Sequence, residues 1–225
     1  MEGKGATGLG FDDIRVAIGK GRILSQLKPR WIDAEFPWPL ESDSAKLWFA
    51  ASQSGPGAII VRGQDVATLV ARGVADLGVV GTDLLVERGL NDVLQVADLD
   101  VAACRVVLAG TRSTRPDGPF LVASKYQNIT RDFLNRNHLQ ADIVPMGGSL
   151  ELAPVIGLAP YIVDIVDTGV TLRQHHLVEI ETIMHSHACL IANPAHWRAK
   201  PEVVAIRDQL IRGLDGMNQA GGLAR

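Results

Sequence analysis

Short β-branched runs alternate along this chain with stretches of helical periodicity. Residues 15–18 (RVAI) read as a strand, and 23–27 as a helix that breaks near Pro29, because proline lacks the amide donor a helix interior needs. The apolar run 58–61, bounded by Gly-Pro-Gly, predicts a buried strand. Residues 64–72 then set Val66, Leu69 and Val70 at helical spacing and stop at Gly73. A strand over 77–80 and a short helix over 83–88 complete a β-α-β-α order, which predicts a largely parallel sheet with helices on both faces. A second block repeats the pattern, though not the residues. Strands are expected over 105–109, 120–123, 142–144, 161–166 and 188–192, and helices over 129–139 and 149–156, the latter with Ser149 as N-cap. A closing helix over 201–214 begins at a proline and aligns Val203, Val204, Leu210, Ile211 and Leu214 on one face.

Composition narrows the function. A 225-residue chain that is 47% hydrophobic fills a real core, which excludes wholesale disorder. Aromatics at 5% argue against a stacking platform for single-stranded nucleic acid, and 22 basic against 25 acidic residues create no basic field for DNA or RNA. No apolar run approaches the ~20 residues of a membrane span. Cys104 and Cys189 lie far apart at no metal spacing, and read as packing thiols in a reducing compartment. The glycine-rich start carries no secretion pattern. Residues 1–14 are expected as a flexible arm, 215–225 as a flexible tail, and the location as cytoplasmic.

Three polar segments follow predicted strands. In the first, the strand over 161–166 ends in Asp167-Thr168-Gly169-Val170-Thr171 and runs into a helical stretch. Gly169 can adopt backbone angles closed to other residues, the threonines supply hydroxyls, and successive amides there can cradle a phosphate. Asp164 and Asp167 could orient sugar hydroxyls or a hydrated Mg²⁺. An ordinary capped turn is the alternative. In the second, Gly19-Lys20-Gly21-Arg22 places two cations at a helix start, which is mildly unfavourable unless an anion sits there; two solvated surface charges are the alternative. In the third, Arg62 and Asp83 follow the carboxyl ends of strands, the edge where open parallel sheets bind ligands, with Asp83 equally readable as a helix cap. His175, His176, His185 and His187 lack partners at zinc spacing and read as structural or surface residues. Trp31, Trp38, Trp48 and Trp197 read as packing, and no nucleophile elbow is present.

Taken together these segments resemble the short form of ATP phosphoribosyltransferase, the first enzyme of histidine biosynthesis, from about Arg15 to Leu214. Glu151, Gly157, Ala159, Ile162, Asp164, Thr168, Gly169, Thr171 and Leu172 satisfy that family's signature at every step, and AIGKGRIL, GVADLGVVGTDLL, KYQNIT and GSLELAP strengthen the match. The resemblance implies an α/β, two-lobed, periplasmic-binding-protein-like (type II) architecture with a ligand cleft between lobes. Lobe I would comprise residues 15–104 plus 186–214, and lobe II residues 105–185. It implies that ATP, through adenine N1, condenses with phosphoribosyl pyrophosphate to give N1-(5-phosphoribosyl)-ATP and pyrophosphate, with Mg²⁺ carried on the substrate phosphates and no protein metal site. Asp167, Thr168, Gly169, Val170 and Thr171 would hold the 5-phosphate and ribose, with Glu151 and Asp164 nearby. Lys20, Arg22 and Lys46 would serve catalysis at the pyrophosphate or ATP phosphates, and Arg62 and Asp83 would lie on the nucleotide side. The adenine N1 lone pair needs no general base, so positioning and charge neutralisation at the departing pyrophosphate carry the reaction.

The sequence departs from the family at three places. Relatives usually carry an arginine, proposed to assist pyrophosphate departure, where this chain has Ala45 followed by Lys46. Gly19 and Gly63 stand where proline is usual. Ala45 favours the other reading of the cleft, a catalytically weak or inactive two-lobed small-molecule binding protein. The resemblance further implies a homodimer that associates with a histidyl-tRNA-synthetase-like regulatory subunit, with neither nucleic acid nor membrane as partner. The length after Leu214 leads to the expectation that the regulatory domain of the long form is absent.

Overall fold

The computed structural model describes residues 13–33, 47–52, 55–89 and 91–220. The described elements run β1 (Arg15–Gly19), α1 (Arg22–Asp33), β2 (Trp48–Phe49), β3 (Gly57–Val61), α2 (Gly63–Ala71), β4 (Leu77–Gly81), α3 (Thr82–Arg88) and β5 (Leu94–Asp98). There follow β6 (Cys104–Gly110), β7 (Phe120–Ser124), α4 (Gln127–Arg136), β8 (Ala141–Pro145), α5 (Leu152–Val155), β9 (Tyr161–Val166), α6 (Val170–Gln174) and β10 (Val178–Ser186). The chain closes with β11 (Ala188–Ala192), α7 (Pro194–Ala199) and α8 (Pro201–Ala220).

The chain divides into two compact units. The described residues of the first fall within 1–84, 90–102 and 187–225, and those of the second within 85–89 and 103–186. Each is built on its own sheet, ordered β2-β3-β1-β4-β11-β5 in the first and β10-β6-β9-β7-β8 in the second. The sheets are mixed, a correction to the largely parallel arrangement read from the alternation. Parallel pairing is confined to β3-β1-β4 and to β9-β7-β8. Short links carry the chain from one sheet to the other, β5 into β6 through five residues and β10 into β11 through His187 alone. These strands, together with the short β2, take the antiparallel places.

One face of the first sheet buries Val16, Ile18, Leu77, Val79 and Leu190 against Leu27 and Trp31 of α1 and Val203, Ile206 and Leu210 of α8. On the other face α2 lies so close to β4 that a Cβ on Gly78 would stand 2.7 Å from Val70 Cγ2, so only glycine fits there. The helix over Pro29 does not break as expected: α1 continues to Asp33. Trp31 explains it, being 1% exposed with its indole N–H 3.3 Å from the Leu210 carbonyl; burial of that ring outweighs one missing helical hydrogen bond.

Three further readings are corrected. Ser149 does not cap a helix; it adopts φ 51°, and α5 begins only at Leu152. The closing helix extends to Ala220, into the segment expected as a flexible tail, and Ile14, assigned to the arm, is buried in the core. The rest of the expected arm, residues 1–12, lies outside the described residues. Strands β2, β5 and β10 and helix α7 were not expected at all. The first-unit cysteine, Cys189, is fully buried, and that burial pushes its thiol up to about 12, with Asp98 and Asp83 adding to the effect.

Candidate active site

In the first unit three strands deliver polar residues to one sheet edge. Lys20, Arg62 and Asp83 follow the carboxyl ends of β1, β3 and β4, which run parallel and adjacent. The Lys20 amide donates to the Val61 carbonyl at 2.7 Å, which fixes the turn between β1 and α1 next to Arg62. Lys20 and Arg62 are exposed, whereas Asp83 is buried in the first turn of α3. Arg22 opens α1, and its Nη2 donates to the Ala102 carbonyl at 2.8 Å. Gln26 Oε1 accepts the Ala102 amide at 2.7 Å, so both polar groups of a residue at φ 54° are held from α1. Gly19 and Gly63 meet at this edge: a Cβ on Gly19 would stand 3.2 Å from Gly63 Cα. Lys46 and Ala45 lie outside the described residues.

The second unit repeats the device with β8, β7 and β9. Asp164 lies near the carboxyl end of β9, and Asp167, Thr168 and Gly169 form the bend into α6, which contains Val170 and Thr171. Gly169 adopts φ 73°, the left-handed conformation a side chain disfavours. Two arginines grip this bend from behind. Arg105 Nη1 donates to the Asp167 carbonyl at 2.9 Å, and Arg173 Nη1 to the Thr168 carbonyl at 3.1 Å. Across a trans peptide the carbonyl and the next amide point in opposite directions. Fixing those two carbonyls therefore turns the Thr168 and Gly169 amides away from the guanidinium groups. Glu151 stands at the start of α5, which packs against β9.

Arg105 is itself held by a forked pair with Glu179 across β6 and β10, at 2.6–3.0 Å. That hydrogen bond raises Arg105 above its ordinary value. It also holds the Glu179 carboxyl below the usual carboxylate range, helped by the Thr182 hydroxyl and opposed by partial burial. A depressed carboxylate contributes stability above its unfolded value, near 4.5, and loses that contribution as pH falls through the lower folded value. Thermal melts of wild type and Glu179→Gln should thus differ by about 1 kcal/mol at pH 7, with the gap closing below the unfolded value. A gap that persists undiminished into strong acid would contradict the pairing.

Sequence reasoning missed Arg105, Arg173 and Lys125. Lys125 follows the carboxyl end of β7, the same rule that singled out Arg62, and its ammonium lies 3.1 Å from Asp164 Oδ1. Nothing in the sequence signalled Arg105, whose place depends on the antiparallel register of β6 with β9. Outside these sites two histidines make ion-pair contacts: His187 lies 2.9 Å from Asp98, and His196 and Lys200 flank the buried Asp76. Among the described residues no three His, Cys, Asp or Glu side chains gather as a metal cluster, and no helix is long and apolar enough to cross a membrane.

Two mixed α/β units, each carrying polar residues at the carboxyl ends of its parallel strands, define the periplasmic-binding-protein-like class. The periplasmic aliphatic sulphonate binding protein SsuA of Escherichia coli shares this fold at 12% identity, with a TM-score of 0.60 over 92% of this chain and 70% of that one. A second solved structure, the ATP phosphoribosyl transferase (HisG:HisZ) complex from Thermotoga maritima, matches at 30% identity and a TM-score of 0.77, over 90% of this chain and 99% of that one. Residues 62–216 match the family model described as HisG: ATP phosphoribosyltransferase. The ATP phosphoribosyltransferase of Bacillus licheniformis is 40% identical over 195 residues, 85% of this chain and 91% of that protein. The chain belongs to the ATP phosphoribosyltransferase family. It is a pentosyltransferase of histidine biosynthesis, joining ATP to phosphoribosyl pyrophosphate.

Proposed function

We propose that the residues at the two sheet edges divide the reaction between them. Thr168, Gly169, Val170 and Thr171, with Asp167, take the 5-phosphate and ribose of phosphoribosyl pyrophosphate; Glu151 and Asp164 take ribose hydroxyls. Lys20 and Arg22, with Lys46, take the departing pyrophosphate or the ATP phosphates, and Arg62 and Asp83 lie toward the nucleotide. The observation that carries the reading is the bend after β9, whose carbonyls at Asp167 and Thr168 are turned back by Arg105 and Arg173. A phosphate needs amides and hydroxyls in front of it and no carbonyl oxygen, and this bend is set that way before any ligand arrives.

The chemistry asks little more. The N1 lone pair of adenine forms the new bond to the anomeric carbon as the bond to pyrophosphate breaks, and the leaving group keeps the electron pair. The sugar passes through oxocarbenium character, so the protein's task is alignment and neutralisation of the charge that builds on pyrophosphate. Mg²⁺ enters with the substrates as their phosphate complex.

Gly169→Ala tests the loop. A Cβ there would stand 3.2 Å from Arg173 Nη1 and would force a left-handed alanine, at a cost of about 1–2 kcal/mol. The KM for phosphoribosyl pyrophosphate should rise roughly tenfold while that for ATP holds; an unchanged KM would remove the loop from the site.

The likeness to the Thermotoga maritima HisG:HisZ complex supports binding of a HisZ-type regulatory subunit; we propose further that this subunit resembles histidyl-tRNA synthetase and that the chain is a homodimer in the cytoplasm. The deciding assay mixes purified chain, ATP, phosphoribosyl pyrophosphate and Mg²⁺, with and without such a subunit, and follows the ultraviolet change of N1-substituted adenine. Turnover that the subunit increases is the expected result. No turnover under either condition would leave a binding protein.

A further inference from the structure

Lys125 is placed with more care than a surface lysine needs. It is the first residue beyond β7, and the parallel register that pairs Ser124 with Val163 brings it beside Asp164. Its ammonium lies 3.1 Å from Asp164 Oδ1 and 4.9 Å from the centroid of the Tyr126 ring. The backbone on both sides is fixed from beneath. Ser124, fully buried, donates its hydroxyl to the Val163 carbonyl at 2.9 Å and accepts the Tyr126 amide at 2.9 Å. Thr130, equally buried, donates to the Tyr126 carbonyl at 2.5 Å. Two buried hydroxyls thus set the direction in which the lysine stem leaves the chain.

Asp164 is held by one oxygen only. Its Oδ1 accepts the Ile165 amide at 2.7 Å and faces the Lys125 ammonium, whereas Oδ2 carries no hydrogen bond among the described residues. An acceptor so presented suits a sugar hydroxyl. Yet the sugar in question bears a phosphate and a diphosphate, and a lone carboxylate a few ångströms away opposes its binding. We infer that Lys125 is a positioning residue for the pentosyl transfer: it cancels the charge of Asp164 and fixes Oδ1, so that Oδ2 can accept from a ribose hydroxyl of a polyanionic sugar phosphate. This rests on the reading that Asp164 faces the phosphoribosyl group.

The experiment is a set of steady-state titrations on the full chain at two ionic strengths. Lys125→Met should raise the KM for phosphoribosyl pyrophosphate roughly tenfold, the scale of one charge-assisted contact, and leave the KM for ATP unchanged. The increase should shrink at high salt, because exposed repulsion is screened. Lys125→Arg should restore most of the loss, and Lys125→Gln should behave like Lys125→Met. In an Asp164→Asn background Lys125→Met should add nothing, since no carboxylate charge is left to cancel. A wild-type KM in Lys125→Met and Lys125→Gln overturns the inference, and so does a tenfold loss that persists beside Asp164→Asn, because the lysine would then touch the substrate itself. If Asp164→Asn alone binds phosphoribosyl pyrophosphate normally, the assignment of Asp164 falls and this inference with it. An impaired Asp164→Asn beside a normal Lys125→Met removes the lysine's role alone.

Discussion

Arg22→Ala should lower kcat/KM by roughly 100-fold, about 3 kcal/mol of transition-state stabilisation, the loss that follows removal of one preorganised donor from developing negative charge. Pyrophosphate gains charge as the glycosidic bond lengthens, and a guanidinium anchored beforehand answers that charge without reorganising. The anchoring is visible in the bond from Arg22 Nη2 to the Ala102 carbonyl. Arg22→Lys should fall between the two, because a flexible ammonium keeps the charge and loses the planar fork. The measurement is kcat and both KM values on protein whose melting has been checked. Equal kcat/KM in Arg22→Ala and wild type would take Arg22 out of the reaction.

Trp31→Ala should cost about 3–5 kcal/mol, the range for truncating a large buried aromatic. Trp31 is 1% exposed and belongs to the cluster that joins α1 and α8 to the first sheet. Its removal leaves a cavity between two helices at a point where α1 already lacks the amide of Pro29. Trp31→Phe should cost much less, keeping most of the ring and losing the long bond to the Leu210 carbonyl. Urea unfolding followed by far-ultraviolet circular dichroism reads both. A shift below about 1 kcal/mol for the alanine variant would mean the helices are held elsewhere.

The central strands were legible because their composition left no other reading. RVAI, AIIV, YIVDIV and ACLIA are short, apolar and bounded by turn residues, and each is a strand. Strand β10 was not legible, since VEIETIMHS mixes charge with apolar residues along half-buried backbone and its antiparallel register with β6 is broken twice. Pro29 misled because propensity is local whereas the pull of Trp31 comes from α8. Ser149 misled because capping chemistry looks the same in a left-handed turn. At the site, residues that follow parallel strands could be named from the chain alone: Lys20, Arg62, Asp83 and the 167–171 bend. What could not be named were the groups that hold the bend, Arg105 and Arg173, because strand register and carbonyl direction leave no mark in sequence.

The residue at φ 54° that closes the 90–102 segment of the first unit bears on how the protein is made. Gln26 and Arg22, neighbours on one helical turn, clasp the amide and carbonyl of Ala102 from 76 and 80 positions upstream. An alanine has no reason of its own to bend that way. The backbone at Ala102 is thus moulded on a helix translated well before it, and a ribosome must have released α1 before this turn can set.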